Sequence, residues 1–121
     1  MSALDSKHAY LLTEIGYAAA MLGEGKSVDP IFDLLMKELP NNAAGAIGKA
    51  INALSDNNAD RAVEVLEQHG LGKEVSADEA RAIHLLALFL GGRKDDAEAL
   101  AQDYLKGEGI AYAMAQSLFQ S

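Results

Sequence analysis

Three polar turns, residues 23–30 (GEGKSVDP), 55–62 (SDNNADRA) and 91–99 (GGRKDDAEA), recur at a near-constant interval and decide the fold. Val28, Ala62 and Ala97 take corresponding places near the start of the helix that each turn introduces, at steps of 34 and 35 residues. Phe32, Leu66 and Ala101 follow them by four residues, so each pair shares one helix face. A period of this size marks a helix–turn–helix array, in which a hairpin buries its apolar side only by stacking on the next. The expected fold is therefore all-α: about three helix pairs and a C-terminal capping helix, as a single domain over residues 1–121.

Residues 5–22 predict a first helix, with Leu11, Leu12, Ile15, Ala18, Ala19 and Leu22 at helical spacing. Gly23 and Gly25 end it. A second helix opens at Asp29-Pro30, with proline in the first helical position, and closes before Pro40. Asn41-Asn42 caps a third, over 43–54, rich in alanine and carrying Gly45 and Gly48. Glycine in a helix costs about 0.5–1 kcal/mol against alanine, which close helix–helix approach would offset. The fourth runs over 58–69 and stops at Gly70. Ser76 and Glu79 have the spacing of a capping box for a fifth, over 76–90. That helix is apolar almost all round, the pattern of one buried or covered by a partner. A sixth covers 94–105, with Asp95 and Asp96 suited to its positive end. A seventh covers 110–119.

Composition narrows the function. The 121 residues are half apolar, with a formal net charge of −8 and no cysteine. A chain this acidic, with dispersed Lys and Arg, is a poor match for nucleic acid or an anionic membrane. Without cysteine there are no disulfides, thiolate nucleophiles or thiolate-bound zinc. The polar start MSALDSKHAY lacks the pattern of a secretory signal, and no apolar run is long enough to insert in a bilayer. A cytoplasmic location is the expectation.

The repeat resembles the tetratricopeptide pattern. In the first repeat Leu12 matches the family's early bulky residue, Ile15-Gly16 its Leu-Gly pair, Phe32 its later aromatic and Pro40 its closing proline. Val28, where a small residue is usual, is a departure. The second repeat keeps Ala62 and Leu66, and the third keeps Ala97 but has Ala101 where a bulky residue is usual. Length, acidity, absence of cysteine and the phrase Leu86-Ala-Leu-Phe-Leu-Gly-Gly-Arg93 with Asp96-Ala97-Glu98 are similar to the small tetratricopeptide-like chaperones of bacterial type III secretion systems, the needle-subunit chaperone type. That resemblance implies a virulence-associated chaperone or adaptor. Its concave groove would hold the amphipathic helix of a secreted subunit, together with a small helical cochaperone, and prevent premature assembly.

In tetratricopeptide arrays the first helix of each pair lines the groove. The corresponding residues here are Tyr10, Thr13, Tyr17, Ala20 and Met21, then Ala44, Ile47, Ile51, Leu54 and Ser55, then Glu79, Ala82, Leu86, Phe89 and Leu90. Tyr10, Tyr17, Met21, Ile47, Ile51, Leu86 and Phe89 are the strongest candidates to contact a protein partner. The set is largely apolar and has no Lys/Arg/Asn clamp for a peptide carboxylate, so it suits the apolar face of a helix. Some of these residues serve equally well as core. A groove left empty would favour homo-oligomers, or coverage by the segment around Met114, Leu118 and Phe119. A structural protein that self-associates through the same surface is the alternative.

The chemistry of an enzyme is not in view. His8, His69 and His84 fall on three different helices, without the close spacing of a metal pair, and His84 reads as a hydrogen-bonded core residue. The paired aspartates read as helix starts. The glycines belong to no phosphate loop, and no serine lies in a nucleophile elbow. No catalytic residue, metal or cofactor is expected. Glu67 and Lys94 read as exposed positions that tolerate change.

Overall fold

A computed structural model describes residues 25–120. The expected first helix, with Tyr10, Tyr17 and Met21, lies outside the described residues. Six helices follow in order: α1 (Gly25–Glu38), α2 (Ala44–Ser55), α3 (Ala59–His69), α4 (Ala77–Leu90), α5 (Lys94–Tyr104) and α6 (Ile110–Phe119). Among the described residues no strand forms, and the all-α helical-hairpin array read from the repeat is the observed one.

Local chemistry sets most of the boundaries. The Asn42 side chain accepts from the Ala44 N–H at 2.8 Å, opening α2. Asn58 does the same for Arg61 at 3.1 Å, opening α3. Each satisfies a backbone donor that a helix start would leave unpaired. Gly70 and Gly91 close α3 and α4 through N–H bonds to Leu66 and Ala87, and Gly92 then turns at φ +79°.

Two boundaries differ from the sequence expectation. α1 begins at Gly25 and runs through Pro30. The proline ring fixes a helical φ, and its missing N–H affects only the Lys26 carbonyl one turn back. The capping box at Ser76 does not form. Ser76 is left-handed, at φ +62°, and its side chain caps nothing. The preceding segment is held by tertiary bonds instead. Asn42 and Val75 form an isolated parallel bridge. Ala43 N–H donates to the Val75 carbonyl at 3.0 Å, and Val75 N–H to the Asn41 carbonyl at 3.1 Å. With 74–75 pinned against 41–43, the chain must turn sharply to enter α4, and that turn falls on Ser76.

Each helix packs on its sequence neighbours, and α2, α4 and α6 also pack on one another in a row. The odd-numbered helices form the layer behind. The even helices touch side by side and the odd ones do so far less, and in a stacked array of this kind the closer-packed row is expected on the concave side.

The glycines of α2 explain the first crossing. A Cβ at Gly48 would overlap the ring of Phe32, and one at Gly45 would lie 2.6 Å from both Met36 Cγ and the Phe32 carbonyl oxygen. Phe32 is completely buried in this notch. On the same side, Lys49 Nζ reaches Asp29 at 2.9 Å and Asp33 at 2.6 Å, one helical turn apart on α1. Beyond α2 the main core is built from Ala46, Ala50 and Ala53 with Val65, Leu66, Leu85 and Leu88.

Gly48→Ala should therefore destabilise the protein by about 1–3 kcal/mol in urea unfolding, although alanine is the better helix former by about 1 kcal/mol. Stabilisation by that propensity gain would mean the notch is not closed around Phe32. A second test concerns alkali. Burial lowers the Lys49 pKa, but Asp33 and Asp29 outweigh it and hold the group above the usual 10.5. Burial also raises the Tyr104 phenol above the usual 10.0, with Arg81 opposing. In both cases the native state keeps its proton longer than the unfolded chain, so stability is full below about pH 10 and declines above it. Lys49→Met should flatten that alkaline decline in unfolding curves, and adding Tyr104→Phe should flatten it further.

Candidate protein-binding groove

α4 is the middle helix of the concave row. Its buried residues, Ala80, Ala82, His84, Leu85, Ala87 and Leu88, cover most of its circumference. Glu79, Ile83, Leu86 and Leu90 follow one another at steps of four, three and four residues, and so form one stripe on the remaining arc. Ile83 leans partly on the core, Leu86 is partly buried, and Leu90 is 60% exposed.

The neighbours extend this stripe. Ile51 and Leu54 of α2 are partly buried and pack against the core edge. α6 lies parallel to α4. The Asp78 carboxylate, at the start of α4, accepts the N–H groups of Ile110 and Ala111 at the start of α6. At the other end Phe89 meets Phe119 edge-on, with centroids 5.7 Å apart and planes at 83°. Along α6 in this register, Ile110, Ala113 and Ser117, at steps of three and four residues, share one exposed face. Gly109, at φ +99°, makes the junction possible, since a Cβ there would crowd the Asp78 carboxylate.

The sequence candidates separate. Ile51 and Leu86 are partly buried on neighbouring helices of the even row, with Ile51 at the core edge. Ile47 is only 3% exposed and belongs to the core. Phe89 is partly buried, set against Phe119 and with Lys94 Nζ 5.9 Å from its centroid. Of the wider set, Ala44 and Ala82 are buried, while Leu54, Glu79 and Leu90 remain on the strip. Met114, Leu118 and Phe119 pack against the core, from the end of the row. Ile83 and Ile110 were not among the sequence candidates. Ile83 was legible from its four-residue step after Glu79, whereas Ile110 required the α4–α6 register.

Polar features lie elsewhere. A cleft of about 810 Å³ opens at the ends of α1, α2 and α3, lined by Lys26, Asp29, Lys49, Asn52, Asp56 and Arg61 among others. Two of its cations are already paired, Lys49 with Asp29 and Asp33, and Arg61 with Glu64. Among the described residues no His/Asp/Glu group has the arrangement of a metal site, and no helix is long and apolar enough to cross a membrane. No family model matches the chain, and no curated protein or solved structure is significantly similar to it.

His84 is the one buried polar residue of the described core. Its Nε2 lies 3.0 Å from a Glu67 carboxylate oxygen, while Nδ1 is buried without a partner. The carboxylate can only accept, so Nε2 carries the proton and donates it. Glu67, read from the sequence as a surface position that tolerates change, is thus the one hydrogen-bond partner of the His84 imidazole among the described residues. Glu67→Ala leaves both ring nitrogens unbonded and should cost about 1–3 kcal/mol. Glu64→Ala, one turn away in an exposed pair, should change stability by no more than about 0.5 kcal/mol. Equal effects in parallel denaturant titrations would rule out this role for Glu67.

Proposed function

We propose that the chain is a non-catalytic chaperone or adaptor that holds the amphipathic helix of a protein partner against the concave strip of α2, α4 and α6. One observation carries this reading: the outward arc of α4 carries Leu86 and Leu90 beside Ile83, at places where the core of the described residues needs no apolar side chain. Leu86 is not among the residues packed against the core cluster, and Leu90 is mostly exposed. A contiguous apolar surface on a soluble array is characteristic of an interaction site, and a row of parallel helices offers a groove for an apolar helix face.

The resemblance to type III secretion chaperones supplies the specific form of the proposal. The partner would be a secreted subunit held in the bacterial cytoplasm, alone or with a small cochaperone. Its self-assembling helix would be occupied until export, so early polymerisation would be blocked.

Co-expression with the products of neighbouring genes, followed by copurification, tests the proposal. Leu86→Asp and Leu90→Asp should each weaken a stable heteromer roughly thirtyfold, the equivalent of about 2 kcal/mol for a buried apolar anchor. Both variants must retain native helicity and a cooperative melt. A symmetric homodimer that ignores every candidate partner, yet dissociates in the same variants, would replace this reading with self-association. Full-affinity binding by both folded variants would move the site off the strip.

A further inference from the structure

We infer that the partner helix carries a Lys or Arg bordering its apolar stripe, and that this cation pairs with Glu79. The inference rests on the helix-binding reading above and assigns the partner its charge pattern. Glu79 is the only ionisable residue on the stripe it forms with Ile83, Leu86 and Leu90. It is partly buried, and among the described residues its carboxylate takes part in no ion pair or hydrogen bond. Its neighbour Asp78 differs in this respect, being occupied by Arg81 and by the first amides of α6. Arg81 stands two positions further along α4, about 200° around the helix, and so faces away from the stripe.

An apolar helix laid on Leu86 and Leu90 would strip water from Glu79. A carboxylate desolvated without a counter-charge is costly, and the same carboxylate with a cation is not. Among the described residues the stripe carries no cation, so the partner brings one. The spacing says where. Glu79 precedes Leu86 by seven residues, about 10 Å along α4. A helix about 10 Å across, seated over Leu86, would leave Glu79 at its flank, within reach of a lysine or arginine that borders the apolar stripe. The net charge of −8 favours the same sign in the encounter.

The test uses displayed 18-residue amphipathic peptides with a fixed Leu/Ile stripe and Lys, Gln or Glu varied along both flanks. The best binder and its charge-reversed twin are then measured by fluorescence anisotropy against the wild-type chain, Glu79→Lys and Leu86→Asp. The wild type should prefer the Lys-flanked peptide by about tenfold, Glu79→Lys should reverse the order, and high salt should shrink both preferences. Twins that bind the wild type equally, yet both fail on folded Leu86→Asp, overturn the pairing with Glu79 and leave the groove standing. Failure to recover any peptide that depends on Leu86 overturns the groove, and the pairing with it.

Discussion

The close approach of α1 to α2 is the contact on which the array depends. Phe32 fills a notch that exists only because residues 45 and 48 have no side chain. The notch fixes both the distance between the helices and their rotation. Lys49, one residue beyond Gly48, is thereby brought to Asp29 and Asp33. The opposite side of α2 is also small-sided: Ala46, Ala50 and Ala53 are buried against the next hairpin. α2 is thus a thin helix between two layers, and its thinness lets the row of even helices close up. Close packing of this kind leaves little room for relaxation, so a single methyl is felt.

The far end of the array is fixed by different means. α6 buries Ala111 and Ala115 and sets Met114, Leu118 and Phe119 against the core, but apolar packing alone leaves its first amides unpaired. Asp78 supplies the rest by accepting two amides that the helix start leaves unpaired. A carboxylate at that position also suits the positive end of the helix dipole. The Phe89–Phe119 contact fixes the other end. One hydrogen-bonded anchor and one aromatic anchor together set the parallel register, and that register carries the concave strip from α4 onto α6.

What the sequence discloses follows from the range of the forces involved. Helices 59–69, 77–90 and 110–119 were legible to within a residue because their start and stop signals are local: Asn58 and Gly70, Gly91, Gly109. The Ser76 capping box was a local signal as well, but the pairing of 74–75 with 41–43 overrode it, and that pairing joins segments more than thirty residues apart. Asp78 was visible only as a first-turn acid, since its role on α6 depends on the same kind of distance. The groove set shows the limit most clearly. Ile47 and Ile51 are both isoleucines on α2 at helical spacing, and periodicity cannot distinguish them. Only the packing of the row buries the first and leaves the second at the edge.

Among the described residues, folding accounts for Ile83 on the outer arc of α4 but not for Leu86 and Leu90. Leu85 and Leu88 are fully buried, and the core is built on them. Leu86 and Leu90 are their sequence neighbours on the opposite arc, and a charged or polar residue at either place would leave that core intact. Helix propensity does not require leucine there, since Lys, Glu and Gln propagate a helix nearly as well. Solubility argues against it, because exposed leucines add apolar surface to an array that already has open ends. The arc is also not uniformly apolar, since Glu79 shares it, so indifference to charge is no explanation. Leu86, Leu90 and one carboxylate on the outer arc of α4 form a pattern with chemistry of its own: an apolar strip with a single negative charge at its flank. On the proposed function, a surface of that description would discriminate among partner helices by stripe and by charge.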